Sequence, residues 1–246
     1  MTIRTLHHTA ATGGTLITRC IANLDSICLL NEINPMAPLF PAHIFEPLNL
    51  VSQLIRSYPD LAAPLRSEHF HNQLEIALKV CRSKRQTLVI RDHAHSDYMI
   101  DEPRPSSLLS LLASHARLSL VTIRDPIDSF LSCKKNNWVS SLDFNAYCER
   151  QLRFMDDFAT IPCLKYEDFC DEPVASMKRI CSILSLDYQK ECLNKVPAIK
   201  FSGGSGRVSD TIERRPRRPI PPGDEDMIRS STLYREFCQR FGYPSP

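Results

Sequence analysis

Glycine is scarce in this chain, with 7 residues in 246 against 18 prolines. That leaves little material for a flexible linker between independent units, and the length suits one domain over residues 1–246. A strong excess of either charge is also missing. The 30 Lys and Arg nearly balance 28 Asp and Glu, for a formal net charge of +2. Nothing global therefore draws the chain to nucleic acid or to an anionic membrane. No apolar run reaches the length of a membrane span, and none follows basic residues at the N-terminus, so neither a span nor a signal peptide is expected and the expected location is the cytoplasm. Cysteine is plentiful at 10 residues, but no two stand in a C-x-x-C pair. Cys81, Cys133, Cys148 and Cys181 fall in segments that read as helices, which predicts buried free thiols in place of a disulfide framework. His7-His8, His69-x-His71 and His93-x-His95 lack a carboxylate or cysteine at ligand spacing, so no metal site is expected.

What is present is an alternation of strands and helices. Ile3 to His8 reads as a short strand, followed by a turn of small residues at 9–14 and a helix over Thr15 to Leu24. Ile27 to Leu30, Thr87 to Ile90, Leu118 to Ile123 and Cys163 to Tyr166 are further strands. A Pro-rich irregular crossover spans Pro35 to Pro47, and a helix is expected over Leu48 to Ser57. Phe70, Leu74, Leu78 and Cys81 form a stripe at helical spacing inside His69 to Arg82. Helices are also expected over Leu108 to His115, Pro126 to Asn137, Asp143 to Phe158, Pro173 to Leu184 and Glu225 to Phe241. Strands alternating with helices predict an α/β fold: a three-layer sandwich with a central parallel sheet and helices on both faces. Ligands of such folds sit beyond the carboxyl ends of the strands, so the loops after His8, Ile90 and Ile123 should line one pocket.

Those loops hold the distinctive residues. Thr12, Gly13, Gly14 and Thr15 join a strand to a helix; glycines let backbone approach an anion, and the helix N-terminus offers N–H donors. The arrangement is that of a phosphate loop, yet the nucleoside-triphosphatase form G-x-x-x-x-G-K-[ST] is absent. A plain helix-capping turn would look the same. Arg124 directly follows its strand, and Ser132 lies eight residues on in the next helix, a pair that can grip one phosphate from two sides. Pairing of Arg124 with Asp125 or Asp128 is the competing reading. Lys200, Arg207, Arg214, Arg215, Arg217 and Arg218, relieved by Asp210 and Glu213, make a basic segment that is either an anion site or a solvated loop.

The order of these pieces resembles the sulfotransferases: a T-G-G-T turn, R-D-P-x-D-x-x-x-S, then Tyr166-Glu167-Asp168, then a basic loop containing glycine. The resemblance spans nearly the whole chain and implies a P-loop-like nucleotide-binding fold with 3′-phosphoadenosine 5′-phosphosulfate as sulfuryl donor. It implies Thr12, Gly13, Gly14 and Thr15 at the 5′-phosphosulfate, Arg124 and Ser132 at the 3′-phosphate, and Gly206 and Arg207 in the loop over the nucleotide. It implies a general base at His93, with His95 two residues on as the alternative, and an acceptor that is a small molecule or a carbohydrate. One departure stands out. The family has Lys or Arg before the Ser/Thr-Gly of the first loop, and here that residue is Ala11; Arg91 and Arg19 are the available substitutes, Arg91 the better placed. Ala11 leaves open a non-catalytic nucleotide-binding protein of the same descent. A small-molecule kinase would need a loop lysine and acidic magnesium ligands at a strand end. Tyr166-Glu167-Asp168 is expected to cap and orient the Pro173 helix, and Trp138 to pack in the core or on the surface, with stacking on a purine ring as the alternative.

Overall fold

Five short runs of aliphatic residues pair into one sheet. In the computed structural model, which describes residues 1–37, 50–139, 141–194 and 211–244, the strands are β1 (Ile3–His7), β2 (Ile27–Ile33), β3 (Thr87–Asp92), β4 (Arg117–Ile123) and β5 (Cys163–Lys165). Their order is β2-β3-β1-β4-β5 and every pairing is parallel. The helices are α1 (Gly14–Ala22), α2 (Leu50–Ser57), α3 (Ala62–Lys84), α4 (His95–Tyr98), α5 (Ser107–Leu111) and α6 (Pro126–Lys135), followed by α7 (Phe144–Asp157), α8 (Tyr166–Asp171), α9 (Pro173–Leu184), α10 (Glu225–Ser230) and α11 (Thr232–Phe241).

Alternate strand residues point to the two faces of the sheet, as the pleat requires. Leu6, Val89, Leu120 and Leu164 pack against α1, α8 and α9 through Leu16, Ile17, Phe169, Met177 and Ile180. Ile3, Leu88 and Ile90 meet α3 through Phe70, Leu74, Leu78 and Cys81 on the opposite side. Val121 and Ile123 meet Leu152, Phe154 and Phe158 around α7. The result is a three-layer α/β sandwich around an all-parallel sheet. All ten cysteines are free thiols, and among the described residues no helix is long and apolar enough to cross a membrane.

A polar seam runs through this apolar frame. His7 donates from Nδ1 to Asp92 Oδ2 at 2.7 Å, its Nε2 lies 2.8 Å from Thr5 Oγ1, and Thr5 Oγ1 lies 2.7 Å from Ser119 Oγ. His7 and Asp92 are fully buried, so this chain satisfies polar groups while tying β3, β1 and β4 together.

The elements differ from the sequence reading in several places, among them α3, which begins at Ala62 and not at His69, and β3, which runs on to Asp92. The second strand continues past Leu30 to Ile33, with a register shift and Glu32 at φ 56°, because parallel pairing with β3 carries it through the polar Asn31-Glu32. The strand before Tyr166 stops at Lys165, and Tyr166 opens α8, whose first turn holds Glu167 and Asp168 at the favourable end of the helix dipole. The C-terminal helix is broken at Ser231, whose hydroxyl accepts from Tyr234 N at 3.1 Å and so caps α11. The helix expected to reach His115 stops at Leu111. The stretch after Asp92 forms the short α4. Residues 38–49 of the Pro-rich crossover, and 201–207 with Gly206 and Arg207, lie outside the described residues.

Candidate functional site

Parallel registration brings the ends of β3, β1 and β4 to one rim, with Leu6 opposite Arg91 and His7 opposite Val121. A cavity of about 500 Å³ opens there, lined among others by Gly13, Gly14, Thr15, Arg91, His93 and Arg124.

The first wall is the turn from β1 into α1. Ala11 and Gly13 both adopt left-handed backbone, φ 63° and 88°, which bends the chain sharply enough for Gly13 O to accept from Leu16 N and Ile17 N. Gly13 has no alternative, since a Cβ there would lie 2.2 Å from the Tyr166 ring. The first N–H groups of α1 therefore border the cavity at Gly14 and Thr15. Thr12 does not line it. Its side chain is buried and its hydroxyl donates to Thr9 O at 2.8 Å, so it shapes the turn from inside.

The second wall is the end of β3. Arg91 is 3% exposed and its guanidinium is held on all sides. Nε donates to His8 Nε2 at 2.6 Å, Nη1 to Asn31 Oδ1 at 2.8 Å and Nη2 to Thr15 Oγ1 at 3.0 Å, with Glu32 Oε1 3.3 Å from Nη2. Burial lowers its pKa to about 10 despite the carboxylate. His93 Nδ1 lies 2.7 Å from Ser96 Oγ, and among the described residues its Nε2 makes no hydrogen bond. Burial lowers its pKa and Arg91 adds to this, while Glu32, Asp92 and Asp97 act the other way. His95 donates from Nε2 to Trp138 O at 3.2 Å, which leaves Nδ1 as its basic atom, buried and without a partner among the described residues. Burial and the neighbouring His93 lower its pKa to about 4.

The third wall is the turn from β4 into α6. Arg124 donates from Nη1 to Ala11 O at 3.2 Å and lies 4.8 Å from the centroid of the Tyr166 ring, while its Nε is buried with no hydrogen-bond partner among the described residues. The following residue is fixed from several directions. Asp125 N donates to Glu167 Oε1 at 3.0 Å, Asp125 Oδ1 caps α6 by accepting from Ile127 N, and Asp125 Oδ2 accepts from Arg217 at 2.7 Å. Ser132 borders the same cavity from α6. An adjoining cavity of about 210 Å³ is shared by Arg124, Ser132 and Arg215 and adds Asp128, Pro216 and Arg218.

No protein-family model matches the sequence, and no curated protein matches it. Among solved structures, the sulfotransferase domain of the olefin synthase from Synechococcus PCC 7002 aligns over 100% of this chain and 96% of its own, at TM-score 0.55 and 16% identity. The chain has a sulfotransferase fold. The sulfotransferase domain from the curacin biosynthetic pathway aligns over 100% of this chain and 99% of its own, at TM-score 0.53 and 13% identity.

Within this sulfotransferase fold, Gly13, Gly14, Thr15, Arg91, His93, His95, Arg124 and Ser132 all line one cavity. Several features were not apparent in the sequence. Glu32 reaches the cavity from the irregular end of β2, where two polar residues in a row looked like the end of a strand. Trp138 is 41% exposed and lines this cavity, where core or surface packing was favoured over stacking on a purine ring; Asn137, at φ 59°, turns the chain at the end of α6 to put it there. Glu167 holds the backbone beyond Arg124, and only the main chain of Asp168 supports α9, accepting from Glu172 N and Ser176 Oγ. The basic segment divides: Arg217 pairs with Asp125 and Asp128 and Arg214 with Asp171, while Arg215 and Arg218 line the 210 Å³ cavity.

Gly14 carries a direct test of this packing. A Cβ there would lie 2.2 Å from His8 Nε2, the atom that accepts from Arg91. Gly14→Ala should cost about 1–3 kcal/mol in urea unfolding, the usual range for overpacking. Gly223→Ala, with nothing within 4 Å of the new methyl, should stay within about 0.5 kcal/mol.

Proposed function

We propose that residues 1–246 act as one domain that transfers a sulfuryl group from 3′-phosphoadenosine 5′-phosphosulfate to a hydroxyl or amine of a small-molecule or carbohydrate acceptor. The observation that carries this reading is that two groups of candidate anion ligands line one cavity. The backbone N–H groups of Gly14 and Thr15 stand with Arg91 at one pole, and Arg124 stands with Ser132 at the other. The buried, unpartnered Nε of Arg124 and the added guanidinium groups of Arg215 and Arg218 suit a dianionic phosphate at the second pole.

The nucleotide supplies an activated sulfuryl group on a good leaving phosphate. The acceptor oxygen or nitrogen bonds to sulfur as the bond from sulfur to the bridging 5′-phosphate oxygen breaks, and that electron pair leaves with adenosine 3′,5′-bisphosphate. His93 takes the acceptor proton on Nε2, in the tautomer whose Nδ1–H donates to Ser96 Oγ. His95 is less suited, because its basic Nδ1 is enclosed and burial keeps its basicity low. Arg91 offsets charge on the leaving oxygen, replacing the loop cation absent at Ala11. By analogy with phosphoryl transfer, alignment and fixed charge do most of the work.

A kinase reading is not supported. Among the described residues lining the cavity, Glu32 is the one carboxylate, and it already lies beside Arg91. Ala11 favours one second reading, a nucleotide-binding protein without turnover; sulfate transfer across a panel of acceptors separates the two.

Adenosine 3′,5′-bisphosphate at a hundred times its dissociation constant should stabilise the protein by about 2.7 kcal/mol in thermal melting, and ATP with magnesium should do so far less. Arg124→Ala should weaken bisphosphate binding by about 1.5–3 kcal/mol, the loss of a charge-assisted contact, with little change in the melting of the free protein. Larger stabilisation by ATP, or unchanged binding in Arg124→Ala, contradicts the assignment.

The pH profile tests the base. His93 is active when neutral, and its pKa lies below the ordinary histidine value of about 6.5. Transfer should therefore be insensitive to pH near 7 and decline only as acid protonates the ring below that value. His93→Ala should lose roughly 10²–10⁴ in turnover and keep bisphosphate binding, whereas His95→Ala should lose much less. A turnover loss confined to His95→Ala moves the base two residues along.

A further inference from the structure

His8 is buried beside the phosphate loop, at the edge of the cavity, and is not used by the mechanism above. Its hydrogen bonds fix its state. Nδ1–H donates to Thr9 O at 2.9 Å, and Nε2 accepts from Arg91 Nε at 2.6 Å. Both contacts are satisfied only by the neutral ring, because a proton on Nε2 would face the guanidinium N–H. Burial and the adjacent Arg91 both hold its pKa well below the ordinary value. The ring also lies against the first residue of α1, where its atoms come within 2.2–2.4 Å of the place a Cβ would take on Gly14. The absent side chain at Gly14 is thus a requirement of His8, apart from any anion. His8, Gly14, Thr15 and Arg91 form one packed unit, with Thr15 Oγ1 accepting from Arg91 Nη2 at 3.0 Å.

What this unit does to charge is informative. A buried arginine is ordinarily held by carboxylates, and a carboxylate at position 8 would satisfy the same N–H and cancel the cation. Imidazole accepts the hydrogen bond without cancelling it. Of the four groups around the guanidinium, His8, Asn31 and Thr15 are neutral, and Glu32 stands at 3.3 Å. Glu32 is thus the one carboxylate among the four, and His8 adds no further negative charge. We propose that His8 is a positioning residue whose neutral ring aims Arg91 at the 5′ end of the bound nucleotide without adding a second carboxylate to Glu32, which lets Arg91 replace the cation missing at Ala11. This rests on the nucleotide reading above and adds a part of the site that the reading does not require.

The test compares calorimetric affinities for adenosine 3′,5′-bisphosphate and adenosine 3′-phosphate, whose ratio isolates the contribution of the 5′-phosphate. In the wild-type protein the bisphosphate should bind more tightly. His8→Phe keeps a ring but offers no acceptor to Arg91, and should reduce that ratio about tenfold, the order expected for one misdirected charge-assisted contact, with 3′-phosphate affinity unchanged. His8→Gln, whose amide oxygen can accept from Arg91, should restore most of it. If His8→Phe does not fold, His8→Asn, too short to reach Arg91, takes its place with the same expected loss. A wild-type ratio in His8→Phe or His8→Asn overturns the proposal, as does an equal loss in His8→Gln, which would indicate packing alone. A wild-type protein that binds neither nucleotide overturns the proposed function and this inference with it.

Discussion

A parallel strand delivers its next residue to the same edge of the sheet as its neighbours do. Here β1, flanked by β3 and β4, sets the positions of three loops at once. The seam from Asp92 through His7 and Thr5 to Ser119 fixes those strands laterally with buried hydrogen bonds, and such bonds are costly to break one at a time. With the strands fixed, His8, Arg91 and Arg124 emerge within one cavity although 83 and 33 residues separate them in turn along the chain. Two of the described glycines stand where a side chain would not fit: Gly13 and Gly14 border the Tyr166 and His8 rings.

Charge in the site is sorted by what accompanies each cation. Arg217 donates to both Asp125 and Asp128 and so serves as a strut between the C-terminal segment and α6. Tyr234 and Tyr243 reinforce the same region through Asp125 and Glu167. Arg124 is accompanied by a carbonyl oxygen and an aromatic face, and Arg91 mainly by neutral acceptors. Neutral partners hold a guanidinium in place without using up its field, which is the property an anion site needs. Arg217 builds a wall, whereas Arg91 and Arg124 line the cavity.

Much of this was legible in the sequence where a pattern is strongly periodic. The stripe Phe70, Leu74, Leu78 and Cys81 is the buried face of α3, and Pro173 to Leu184 matches α9 end to end. The strand-end Arg124 with Ser132 eight residues on fell on one cavity because strand termini are marked by a change from aliphatic to polar residues. That same rule failed at β2, where pairing with β3 carries the strand through Asn31 and Glu32 to Ile33. It failed again at Tyr166, since a three-residue strand followed at once by a helix leaves no turn signal between them. The linkage of His8 to Arg91 and of Glu167 to Asp125 depends on tertiary contacts between distant segments, which no local pattern encodes.

The central claim is that two poles of one cavity hold the two ends of a 3′-phosphorylated nucleotide. The most direct measurement is a crystal structure of the protein soaked with adenosine 3′,5′-bisphosphate. The account predicts one phosphate on Arg124 and Ser132, and the other on the N–H groups of Gly14 and Thr15 beside Arg91. A nucleotide bound in the reverse orientation, or a phosphate seated away from both poles, would contradict it.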